Sequence, residues 1–298
     1  VSFALILLPD FALIFLGALL YRGVRFGEGF WGGLEKLVYF VLFPSLLFIS
    51  TATAKFDLRA TTLFVIAGCA LTVAGFALGS AARVFARGSD HASFASGVQT
   101  AFRFNSYLAL AIAGRLAGSE GIALMALLLG TNVPISNAAA VYALARHGGM
   151  SLWSAMVRNP LIIATLGGLL CNVTGLPIPE FVNATLSRLG AASIALGLIA
   201  VGAGLRLDGG RMPWPLVSWW LAVKLLALPA LALLFAPLLN LTDLQRTMLV
   251  VFAALPTASS AYILATRMGG NGPLVAYLIS AGTVLSIFTM PLWLFLAR

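Results

Sequence analysis

ALPTASSAYILATRMGGNGP, residues 254–273, is an apolar stretch that cannot be one uninterrupted helix. Pro256 lacks a backbone donor and its ring clashes with the preceding turn, so the chain bends or breaks there. Thr257, Ser259, Ser260 and Tyr262 follow it, placing hydroxyl groups inside an apolar run. In lipid, backbone groups freed by a break are tolerated only where protein or a water-filled cavity satisfies them. A proline kink sealed by hydroxyls is the structural reading, and a binding site built on the break is the functional one. The second gains weight from a partner stretch. Counting 151 positions back from Pro256 reaches Asn105, inside QTAFRFNSYLALAIAGRLAGSEG (residues 99–121), another apolar run with a polar, charged middle.

The same offset aligns Pro9 with Pro160, Gly17 with Gly168, Asp57 with Asp208, Gly118 with Gly269 and Gly121 with Gly272. Lys55-Phe56-Asp57 falls on Arg206-Leu207-Asp208, a cation, an apolar residue and an aspartate in the same order. The chain thus reads as two repeats, residues 1–150 and 151–298. Interrupted helices in corresponding positions of two halves point to a transporter's binding site.

With 61% hydrophobic and 9% charged residues and a mean hydropathy of +1.02, the 298-residue chain needs a bilayer as its solvent. The net charge of +9 is spread singly between apolar runs rather than clustered, which argues against nucleic acid as a partner. Cys69 and Cys171 both lie in apolar runs, with neither metal nor disulfide spacing. The first apolar run lacks a positive leader and a small-residue cleavage site, so it reads as a spanning helix and not a signal peptide.

Ten spans of about 20 residues can be placed. They run over residues 3–20, 34–53 (with Pro44 in its middle), 60–82, 92–114 and 121–145 in the first repeat. A polar hinge at 146–159 follows, then spans at 160–173, 186–205, 216–235, 248–266 and 274–296. Of the 18 Lys and Arg residues, ten fall in the loops 1–2, 3–4, 5–6, 7–8 and 9–10 or at the span ends beside them, six lie likewise on the opposite side, and Arg103 and Lys224 lie deep within spans. The positive-inside bias puts both termini outside the cytoplasm. An odd number of spans per half inverts the second repeat relative to the first.

PSLLF (44–48), RNPLIIATLGGLL (158–170), VKLLALP (223–229), ALPTASSAYILATRMGG (254–270) and TVLSIFTMP (283–291) resemble the auxin efflux carrier family. That family includes the plant PIN carriers and bacterial permeases. The resemblance covers essentially the whole chain, and the motif at 254–270 is its most specific part. It implies an all-α polytopic membrane protein of ten helices in two inverted five-helix repeats, with broken helices 4 and 9 crossing at the midplane. Spans 1, 2, 6 and 7 would form a scaffold joining two copies as a homodimer, and spans 3–5 and 8–10 a transport unit moving as an elevator. Where the plant members have a proline in span 4, this chain has RFNSYLALA (103–111), so a break there rests on the resemblance alone.

Arg103 lies about 17 Å into its span at 1.5 Å per residue, near the middle of a ~30 Å core and too deep for easy snorkelling. A cation at that depth costs at least about 2.5–3.5 kcal/mol on insertion scales and is usually paired or functional. Lys224 has similar depth, and packing or a role in coupling and charge balance are both open for it. Asn105, Asn132 and Asn137 must face protein, as helix–helix glue or as the lining of a polar cavity. With Ser106, Pro256, Thr257, Ser259, Ser260 and Tyr262 they make up the candidate substrate site. No carboxylate stands in the middle of the interrupted spans, Asp10 lying in the first half of span 1, so coupling to H+ or Na+ through a buried acid has no evident residue.

His91 and His147 fall in loops, and no nucleophile–base pair can be placed at membrane depth, so an enzyme is not expected, and neither is a cofactor or metal. The polar residues gather at two breaks and do not form rings along a pore, which favours a carrier over a channel. The expectation is a secondary transporter of a small organic anion, a carboxylate, in a bacterial cytoplasmic membrane. An anion channel or uncoupled uniporter is the alternative.

Overall fold

The computed structural model describes residues 3–24, 26–27, 29–53, 58–85, 91–144, 160–205, 212–258 and 260–297. Lys55-Phe56-Asp57, Arg206-Leu207-Asp208, the hinge at 146–159 and Ser259 lie outside the described residues. Every regular element among those described is helical: α1 (Phe3–Gly23), α2 (Phe30–Leu37), α3 (Phe43–Thr53), α4 (Leu58–Ala81), α5 (His91–Val98) and α6 (Ser106–Leu144) come first. They are followed by α7 (Pro160–Thr174), α8 (Glu180–Ala203), α9 (Trp214–Ala222), α10 (Leu228–Leu238), α11 (Asp243–Ala254), α12 (Ser260–Arg267) and α13 (Gly272–Leu296). Among the described residues, six helical stretches are long and apolar enough to cross a membrane: Phe30–Thr53, Thr61–Val84, His91–Leu144, Glu180–Ala203, Trp214–Leu238 and Gly272–Leu296.

Two mid-span prolines are absorbed without breaking the helix. A proline cannot bond the carbonyl four residues earlier, so Pro229 leaves the Leu225 carbonyl without its helical donor. The backbone widens into a π turn over Val223–Ala227, where the Leu228 amide donates to the Val223 carbonyl. The Trp293 indole Nε1, from α13, then donates to the Leu225 carbonyl at 2.7 Å. Pro44 is met in the same way by a π turn over Val38–Leu42, with the Phe43 amide on the Val38 carbonyl. The helix therefore continues from Phe30 to Thr53 through Pro44.

The chain forms two compact units, each drawing helices from both halves of the sequence. The first comprises residues 1–58, 107–131 and 153–204. In it α3 lies against α7 and α8, and α1 against α8. The close approach depends on small residues: at Gly202 a Cβ would overlap the Ile14 carbonyl, and at Gly168 the Phe48 carbonyl. Asp10, buried in α1, accepts a two-pronged bond from Arg115 (Nε to Oδ2 3.0 Å, Nη2 to Oδ1 2.8 Å). Just beyond Arg115, α6 kinks at Ala117 and Gly118, where Gly118 takes φ +55°. Only glycine adopts that region without Cβ strain, and the boundary expected between spans 4 and 5 falls at this kink.

The second unit comprises residues 59–106, 132–152 and 205–298. Trp219 and Trp220 of α9 donate to the Leu78 and Gly79 carbonyls near the end of α4, at 2.8 and 3.1 Å. The Trp220 ring fills the space that Gly97 of α5 leaves open. α10 packs on α11, and α11 on α13. α11 opens with a capping box, Thr242 accepting from the Gln245 amide while the Gln245 side chain returns to the Thr242 amide. From Met248 to Leu255 every side chain is buried, as expected of a helix that is apolar all round.

Candidate functional site

Two helix breaks lie in the second unit. α5 tightens into a 3₁₀ turn at Gln99–Ala101 and stops; Phe102 to Asn105 are not helical, and α6 starts afresh at Ser106. α11 stops at Ala254, and Leu255 turns extended (φ −59°, ψ 139°), the conformation a following proline imposes. α12 begins at Ser260. The break at 102–105 thus forms with no proline in it.

The two breaks are bonded to each other. The Asn105 amide donates to the Pro256 carbonyl at 2.8 Å. Thr257 Oγ1 donates to the Thr100 carbonyl at 2.6 Å, which serves a carbonyl that the end of α5 leaves without an in-helix donor. Gln99 Nε2 donates to the Ala261 carbonyl at 3.1 Å, and Arg103 Nη2 to Ser260 Oγ at 3.0 Å. Apolar rings flank the polar contacts: Phe104 packs on Phe252 with centroids 4.7 Å apart, and Phe102 on Phe76 at 5.7 Å. Backbone groups that a break exposes are in this way satisfied by protein, the condition for irregular backbone at membrane depth.

The charges are placed unequally with respect to the helix ends. Lys224 is buried in the π turn between α9 and α10, and its Nζ donates to the Ala253 carbonyl at 3.4 Å. That carbonyl belongs to the carboxyl end of α11, where a cation is favoured by the helix dipole. Arg103, 8% exposed, has its guanidinium at Ser260, the first residue of α12. An amino end carries partial positive charge and offers free N–H groups, so it favours an anion and not a second cation.

Among the residues singled out from sequence, Arg103, Asn105, Pro256, Thr257 and Ser260 are brought together by these bonds, and Ser106 opens α6 beside them. Asn132 is buried on α6 and accepts from Thr72 Oγ1 of α4 at 2.7 Å, which makes it a tie between those two helices. Asn137 is half-buried further along α6, and Tyr262 is 43% exposed on α12. Ser259 lies outside the described residues.

Sequence reasoning left out Gln99, Thr100, Ser96 and Asn271. Gln99 stands one turn before Arg103, and that polar i, i+4 spacing was the signal available. Asn271 caps α13 by accepting from the Leu274 amide at 3.0 Å. Its own amide donates to Ser96 Oγ and its Nδ2 to Ser93 Oγ, both at 2.8 Å, binding the loop after α12 to α5. Asn-Gly-Pro at 271–273 is a helix-start signature, so its capping role was legible and its grip on α5 was not.

Residues 143–294 match the family described as membrane transport proteins. An uncharacterized transporter of Methanothermobacter thermautotrophicus is 26% identical over 286 residues, 94% of each chain. The motifs of spans 6, 8, 9 and 10 fall within the matched region. With apolar spanning helices and two bonded helix breaks, the chain is an integral membrane protein and belongs to the membrane transport protein family, that of the auxin efflux carriers.

Proposed function

We propose that this protein is a secondary transporter carrying a small organic anion, a carboxylate, by an elevator-type movement. The observation that carries the anion is Arg103, buried in a break with its guanidinium at the amino end of α12. A carboxylate there would take the guanidinium fork and lie at the positive end of the helix dipole. Its charge would offset the cost of burying Arg103. The architecture we propose is ten spans in two inverted five-helix repeats, 1–150 and 151–298, with helices 4 and 9 crossing at their breaks. Spans 1, 2, 6 and 7 act as a scaffold that pairs two copies, and spans 3–5 and 8–10 as the transport unit. This reading is supported by the constant offset of 151 and by the Asn105–Pro256 bond.

A thermal-shift panel of mono- and dicarboxylates on the purified protein is the direct test. Stabilisation by carboxylates that falls at least about tenfold in apparent affinity in Arg103→Gln supports the reading, since hydrogen bonds to charged groups contribute about 1.5–3 kcal/mol. Normal carboxylate affinity in monodisperse Arg103→Gln removes this residue from the site. A second reading, uncoupled uniport or an anion channel, is favoured by one observation. Asp10, the one buried carboxylate among the described residues, is engaged by Arg115 in the first unit and is not part of the breaks. Saturable counterflow in liposomes with no dependence on H+ or Na+ gradients would select the uniporter, and single-channel conductance the channel.

A further inference from the structure

Gln99 is wholly buried, 0% exposed, in the 3₁₀ turn that ends α5. Its Nε2 donates to the Ala261 carbonyl at 3.1 Å. Exchanging the two ends of the carboxamide would set oxygen against oxygen, so this bond fixes which end is which. Its other end, Oε1, is a buried acceptor with no partner among the described residues. The Ala261 carbonyl, near the start of α12, already has a helical donor four residues on, so satisfying that carbonyl does not explain the glutamine. Methionine or leucine would fill the same space without leaving a buried acceptor unmet, and buried polar groups left unmet call for an explanation.

The place of Gln99 supplies one. Arg103 and Gln99 are one turn apart, joined by the Arg103 amide on the Gln99 carbonyl at 3.0 Å. Their side chains reach adjacent residues of α12, Ser260 and Ala261. The Arg103 guanidinium and the Gln99 carboxamide thus end one residue apart at the same helix start. A plain carboxylate offers Oε1 only further acceptors, an unfavourable pairing, whereas a hydroxyl or amide on the same molecule offers a donor.

We infer that Gln99 sets specificity at this site by accepting a hydrogen bond from the substrate, selecting organic anions that carry a donor beside the carboxylate over those that do not. The inference rests on the carboxylate reading given above. A site built to hydrogen-bond a substrate hydroxyl discriminates strongly against the analogue lacking it, because its own buried group is then left unpaired.

The test uses the full chain, purified in detergent, and three anions of similar size: glycolate, acetate and methoxyacetate. Glycolate carries a hydroxyl donor, acetate lacks the oxygen, and methoxyacetate keeps the oxygen without its proton. Glycolate is expected to bind at least about tenfold more tightly than either of the others. In Gln99→Met all three are expected to bind alike, at the affinity of the native protein for acetate. Equal binding of glycolate and methoxyacetate by the native protein overturns the inference without any variant, so a poorly folding Gln99→Met does not shield it. A preference for glycolate that survives in Gln99→Met overturns it as well. If acetate and methoxyacetate bind but glycolate has no advantage, only the role of Gln99 falls. If none of the three binds while a dicarboxylate of the wider panel does, this inference falls alone; if no carboxylate binds, the carboxylate reading falls with it.

Discussion

Three treatments of helix interruption stand side by side in the second unit. At Pro229 a proline widens the helix by a π turn, and a tryptophan takes the freed carbonyl. At Pro256 a proline separates α11 from α12 completely. At 102–105 the helix is separated with no proline at all. Proline is therefore neither sufficient nor necessary for a break in this protein. What the two full breaks share is that each meets the other's freed backbone groups, whereas the carbonyl freed at Pro229 is met by an indole of the continuous helix α13. Each break supplies the other's missing bonds, the Asn105 amide to the Pro256 carbonyl and Thr257 Oγ1 to the Thr100 carbonyl. One break without the other would expose unmet backbone groups in an apolar setting.

The comparison can be broken most sharply at Pro256. Proline within a helix costs about 3 kcal/mol, so in Pro256→Ala the gain from fusing α11 and α12 offsets the loss of the bonds to the Asn105 amide and the Thr100 carbonyl. Fusion would draw the residue 256 carbonyl into the helix and away from Asn105. The expected outcome is a thermal midpoint equal to or above that of the parent, with transport in liposomes reduced at least about tenfold, the equivalent of 1.4 kcal/mol. Unchanged transport would mean that cross-bonding alone holds this break open, as it does at 102–105. Thr257→Val keeps the side-chain shape and removes the donor to the Thr100 carbonyl. It should destabilise by about 1–3 kcal/mol, the usual cost of leaving a buried acceptor unmet, read from thermal unfolding. A neutral Thr257→Val would show that the break tolerates an unpaired carbonyl.

Trp293→Phe should cost about 1–2 kcal/mol by freeing the Leu225 carbonyl. In a Pro229→Ala background, residue 229 regains an amide that can reach that carbonyl, so the tryptophan's contribution should shrink. A double-mutant cycle on unfolding midpoints measures this, and additive losses would refute the pairing of proline and indole. The smallest effect is expected at Pro44, where the π turn already accommodates the ring: Pro44→Ala should change stability by no more than about 0.5 kcal/mol, as for a substitution outside the destabilising classes. A large loss there would show that the ring itself is needed for packing.

Much of this was legible in the chain. The interruption at 254–260, its partner around Asn105, the burial of Arg103 and the end of span 4 near Gly118 all follow from proline chemistry, polar residues in apolar runs and spacing. The fates of Pro44 and Pro229 were not, because the same residue kinks, widens or breaks a helix according to what stands across from it. The candidate residues also divided in a way spacing could not foretell. Asn105 and Thr257 join the two breaks, whereas Asn132 spends its side-chain oxygen on Thr72 of α4. Each is a polar residue in an apolar run, and only the neighbouring helix decides which partner it takes.

Composition and periodicity alone determined that the chain is helical, that it lives in a bilayer and that it is interrupted at 256, since these depend on hydropathy and on the missing amide of proline, which are properties of single residues and their near neighbours. Only the tertiary structure decided that the chain breaks at 102–105 and that Gln99 and Arg103 reach adjacent residues of α12. Those outcomes depend on donors and acceptors separated by more than 150 positions, and a buried polar group takes whichever partner the packing of the helices puts within reach.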